Sequence, residues 1–166
     1  MSRQVELHTS IDVPARLARE QLLHIMTAIH EGQAPYDGAA LRVGLHSLRL
    51  PLPGDITVPI EAAVVERPIQ YTCSVEIRAT SGEKFFPAFK GEINVSALGS
   101  ASELWLRGQY EVPLHGLGAA IDSTIFKGAA KDSLTAFLEF LGRTITDNVK
   151  RDQKAELNRR LAHPAG

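Results

Sequence analysis

The chain is short of most residues that announce a function. It has one cysteine, Cys73, in 166 residues. That excludes an internal disulfide and any thiolate-rich metal site, and it fits a reducing compartment. An excess of either charge is missing too: 18 Lys and Arg against 19 Asp and Glu leave a formal net charge of −1. With no broad basic field to hold a phosphate backbone, nucleic acid is not an expected partner. No run approaches the roughly 20 apolar residues that span a bilayer, and the first six residues lack the apolar core of a signal peptide. A cytoplasmic protein without a membrane span is expected. The six histidines (His8, His24, His30, His46, His115 and His163) show no i, i+4 pair of the kind that makes a zinc face, so neither metal nor cofactor is expected. The glycines of Gly116-Leu117-Gly118 are not followed by the Lys-Ser/Thr of a phosphate loop. No triad or acid–base couple is visible.

What the chain does have is periodicity. Val5, Leu7, Thr9, Ile11 and Val13 alternate with Glu6, His8, Ser10 and Asp12, the two-residue stride of a strand with one wet face. Pro14 ends it and suits a first helical turn, so residues 15–31 read as a helix stopped at Gly32, with Leu22, Ile25, Met26 and Ile29 on one face. Residues 33–38 are loop chemistry. Five strand candidates follow. The weakest, 41–51, changes parity and needs a bulge near His46. The next spans 56–65. In 69–79, Tyr71, Cys73, Val75 and Ile77 share the apolar parity; in 85–97, Phe89, Ile93 and Val95 do; and in 104–112, Leu104, Leu106 and Tyr110 do. Gly99-Ser100 joins the last two as a turn.

The longest helical pattern comes last. After the glycine-rich hinge at 114–118, a cap at Asp122 or Ser123 opens a helix whose apolar face carries Phe126, Ala130, Leu134, Phe137, Leu141 and Ile145. Lys131, Asp132, Thr135, Glu139, Arg143 and Thr146 fall on the other side. Beyond Val149 only Leu157 and Leu161 are apolar anchors, which predicts a solvated helical extension over 150–166 with a disordered tail from Ala162. No repeat or linker divides the chain. Residues 1–149 are expected to form a single α+β domain: a curved antiparallel sheet of about six strands on a long C-terminal helix, with a short helical insertion after the first strand.

That order resembles the helix-grip superfamily, which includes birch-pollen-allergen-like proteins, StAR-related lipid-transfer domains and polyketide cyclases or dehydratases. Locally, Gly108-Gln109-Tyr110-Glu111-Val112-Pro113 with its hinge, running into Ala129-Ala130-Lys131-Asp132-Ser133-Leu134, is similar to the last strand and helix of bacterial polyketide-cyclase-like members. Ile11-Asp12-Val13-Pro14-Ala15 is similar to their exit from the first strand. The resemblance implies an interior apolar cavity. Because members include carriers, cyclases and protein partners, it implies no single activity.

The candidate ligand-binding residues therefore lie on the apolar parity. Thr9, Tyr71, Cys73 and Tyr110 would supply polar atoms, and Phe89 would supply wall. Phe126, Ala130, Ser133 and Phe137 would face them from the helix. The plainer readings are that the tyrosine hydroxyls find backbone partners, that Thr9 and Ser133 merely pack, and that Cys73 is a small buried hydrophobe. Glu103, Arg107 and Glu111 alternate outward, where charges keep a sheet soluble. Trp105, also outward, either marks a contact surface or packs on a cross-strand neighbour such as Phe86. The preferred reading is binding of a small hydrophobic ligand (lipid, aromatic or polyketide-like) by a monomer or weak homodimer. The alternatives are a cyclase or dehydratase using Tyr71 and Tyr110, and a protein-interaction module built on Trp105 or the C-terminal helix.

Overall fold

Alternating residues become strand from the start of the chain. In the computed structural model, which describes residues 2–31, 40–44, 55–64, 72–79, 88–111 and 123–163, β1 (Ser2–Ile11) half-buries Val5, Leu7 and Thr9 and buries Ile11, while Gln4, Glu6, His8 and Ser10 face solvent. Pro14 then holds the N-cap of α1 (Ala15–His30), and its carbonyl accepts the first helical bond from the Ala18 amide at 3.0 Å. The buried stripe of α1 is Ala18, Leu22 and Met26, flanked by half-buried Ile25 and Ile29. Arg19 ties the helix to the sheet through a 3.1 Å bond from Nε to the Val95 carbonyl.

The remaining strands are β2 (Ala40–Gly44), β3 (Asp55–Val64), β4 (Cys73–Ala79), β5 (Ala88–Leu98) and β6 (Ala101–Glu111). All pair antiparallel in the order β1-β6-β5-β4-β3-β2, so the first strand closes beside the last and the chain meanders back from there. Gly99, at φ +61°, makes the tight β5–β6 turn that a side chain would strain. Of the weak strand expected at 41–51, residues 41–44 are present in β2, and the rest lies outside the described residues. The expected bulge near His46, the loop at 33–38, the stop at Gly32 and the hinge at 114–118 lie outside the described residues.

Helix α2 (Ser123–Ala162) is 40 residues long, about 60 Å at 1.5 Å per residue. It buries Leu134, Phe137, Leu138, Leu141, Ile145 and Val149. It packs mainly against β1 and β2, the two edges of the sheet, and against α1, with a smaller contact to β6. A sheet that meets one helix at both edges is arched across it. The helix runs through Ala162, which is therefore ordered and not part of a disordered tail; residues 164–166 lie outside the described residues. The side chains of residues 150–155 and 157–163 are exposed. No described helix is long and apolar enough to cross a membrane.

Candidate functional site

Antiparallel register sets directly opposed residues on one face of the sheet, so the inner surface reads as rungs. Leu7, Leu106, Ile93 and Cys73 form one rung across β1, β6, β5 and β4. Val5, Gly108, Gly91 and Val75 form the next, and Arg3, Tyr110, Phe89 and Ile77 the one after. The middle rung explains how Phe89 sits. A Cβ on Gly108 would come within 2.6 Å of Gly91 Cα and 2.7 Å of Phe89 Cζ, and would strike the Lys90 carbonyl. Two missing side chains thus leave a recess in the sheet, and the buried Phe89 ring lies over it.

Beside that ring, Tyr110 is only 4% exposed, and its hydroxyl is buried with no hydrogen-bond partner among the described residues. The backbone partner anticipated for it is therefore not found there. Cys73, two rungs away, is buried, and burial pushes its thiol up from 9.0 to about 11. A thiol that stays protonated at neutral pH is a packing group, not a nucleophile. From the helix, Phe137 is fully buried, and Ser133 is buried with an interaction of its own. Thr9 stands apart from these. It is half-buried at the seam where β1 passes under Gly142 of α2, along an open groove of about 320 Å³ shared with Asp12, Glu139 and Arg143. Tyr71 and the side chains of Phe126 and Ala130 lie outside the described residues.

One inner-face residue was not singled out from the sequence. Arg3 pairs with Tyr110 and is half-buried, so the otherwise uncharged inner row of β1 opens on a cation. The signal was there: one more two-residue step back from Val5 reaches it.

The outer face carries the charges, as its parity required. Arg107 Nε is 3.1 Å from Glu6 Oε2 directly across β1. Trp105 stacks on the opposed His8 with ring centroids 5.0 Å apart and planes 30° from parallel, and His8 Nδ1 lies 2.8 Å from Glu103 Oε1. Trp105 therefore packs on β1; Phe86, the partner considered for it, lies outside the described residues. Glu76 is buried although it lies on this face. Arg78 Nη2 at 2.8 Å and Lys90 Nζ at 3.7 Å flank it, and the Arg78 hydrogen bond, opposed by burial, holds its carboxyl below the usual 4.5. An open trough of about 650 Å³ crosses the outer face above Gly91 and Gly108, but Glu6 and Arg107 along it already satisfy each other. Among the described residues no three of His, Cys, Asp or Glu gather to hold a metal ion.

No protein-family model matches the chain, and no curated protein does. Solved structures do. Ara h 8.0201 superposes with a TM-score of 0.50 at 9% identity, over 89% of this chain and 99% of its own. The ZhuI aromatase/cyclase from Streptomyces sp. R1128 gives 0.52 at 14% identity, over 90% and 96%. A conserved protein from Geobacillus kaustophilus gives 0.53 at 16% identity, over 89% and 96%. At these identities the likeness speaks for architecture: the chain has the helix-grip fold, an α+β arrangement of an antiparallel sheet on a long C-terminal helix.

Proposed function

We propose that this protein binds a small apolar molecule between α2 and the concave face of the sheet. The observation that carries the reading is the arch. α2 packs against both edge strands, β1 and β2, while α1 lies against β3 and β5, and the described inner rows of β4, β5 and β6 are apolar. Such a vault has greasy walls and few polar groups, the composition that favours apolar ligands. If about 300 Å² of ligand surface left water at about 25 cal/mol per Å², the gross gain would be about 7 kcal/mol. Ordering costs then leave dissociation constants on the order of micromolar. A cyclase or dehydratase reading has Tyr110 as a hydrogen-bonding group but no acid–base couple on the described inner face.

Organic extraction of the purified protein followed by mass spectrometry tests the reading. An apolar compound released in near-stoichiometric amount is the expected result. A protein that releases none and also fails to bind the neutral fluorophore N-phenyl-1-naphthylamine would overturn it.

A further inference from the structure

The vault has one polar corner, and its chemistry narrows what enters. Arg3 and Tyr110 are directly opposed in the β1–β6 register, so their side chains leave the sheet on the same inner face, about 5 Å apart at Cβ. Tyr110 brings a hydroxyl that is buried and without a hydrogen-bond partner among the described residues. An unsatisfied buried donor is a standing cost to the empty protein, and an acceptor arriving with a ligand removes it. Arg3 is half-buried and already engaged, and its guanidinium offers five donors in a planar fork, more than a single acceptor can use. No acidic residue occupies the described inner rows of β1, β4, β5 or β6. Phe89, next to Tyr110 on the same rung, supplies a flat apolar wall beside the two donors.

Resting on the apolar-ligand reading, we propose that Arg3 and Tyr110 form the polar end of the site and that its ligand is an apolar acid. That means a hydrophobic or aromatic body carrying an anionic oxygen group such as a carboxylate, enolate or sulfonate. The guanidinium takes the charge, the Tyr110 hydroxyl donates to the same group, and charge-assisted bonds of this kind are the strong ones in a water-poor site. The remaining surface of the ligand lies on the aliphatic and aromatic rows.

Two fluorophores that differ essentially by one sulfonate provide the test: 1-anilinonaphthalene-8-sulfonate and its neutral counterpart N-phenyl-1-naphthylamine, each titrated calorimetrically against the full chain, Arg3→Gln and Tyr110→Phe. The native protein is expected to bind the sulfonate more tightly. Each substitution should weaken sulfonate binding by about tenfold while moving the neutral probe less than about twofold. Thermal melts of the ligand-free variants serve as the folding control. Tyr110→Phe removes a hydroxyl with no hydrogen-bond partner among the described residues, so it should melt at or above the native temperature. If both probes bind and neither substitution separates them, the acidic-ligand proposal fails while the apolar site stands. If neither probe binds the native protein and organic extraction releases no apolar compound from it, the site itself is refuted.

Discussion

At the scale of single residues, Glu76 shows how an outward position becomes buried. Its own strand supplies Arg78 two residues on, and register places Lys90 directly across, so two long side chains cover one carboxylate. Arg78's hydrogen bond, with its charge and that of Lys90, lowers the carboxyl's pKa against the opposing effect of burial. A depressed folded pKa means that the stabilisation is fully present above the unfolded value of about 4.5 and is lost as pH falls through the folded one. Glu76→Gln should therefore be less stable than the native protein at pH 7. Its Tm should also vary less between about pH 5 and pH 3, so the gap narrows with acid in melts across that range. Neither Glu76 nor Arg3 stood out in the sequence, and for related reasons. Parity alone identified the face of Glu76, but its burial depends on Lys90, brought from another strand. Arg3 belongs to the inner row by parity, yet its pairing with Tyr110 exists only once β1 closes on β6.

At the scale of elements, the same substitution should have opposite signs at two glycines. Gly108→Ala puts a methyl into the Lys90 carbonyl and the Gly91 backbone, which cannot rotate away. A loss of about 2 kcal/mol is expected. Gly128, exposed in α2 with nothing within 4 Å of a built Cβ, should gain about 0.5–1 kcal/mol as alanine. Denaturant melts of the two variants check both signs. Local pattern made the elements themselves legible. The alternation in β1, β4, β5 and β6 and the four- and three-residue strides of α2 are properties of neighbouring residues, and they put Leu134, Phe137, Leu141 and Ile145 on the buried face. Leu138 is buried as well and widens that face; the stride from Leu134 through Phe137 to Leu141 steps past it. The His8–Trp105 stack was equally hidden, since its two halves come from opposite ends of the sheet-forming sequence. The recess under Phe89 required two glycines to meet across strands.

At the scale of the whole molecule, α2 serves two surroundings in turn. Its first part lies on the sheet, Asp152 still accepts a 3.0 Å bond from Gln21 of α1, and beyond that Leu157 and Leu161 stand exposed. Residues beyond Gln153 contribute helix but little burial, so a chain ending there should melt within about 2 °C of the native protein. It should also elute on size exclusion in the same oligomeric state as the full chain. A large fall in Tm, or a change of oligomeric state, would show that the extension works as an interface instead. The lone thiol offers a different kind of return. Cys73 sits mid-sheet with its sulfur sealed and protonated, and no second cysteine competes with it. Any reagent that colours on reacting with sulfhydryls must therefore wait for strands to part. The chain carries its own unlabelled clock for breathing motions, and a ligand bound as proposed between α2 and the sheet should slow it.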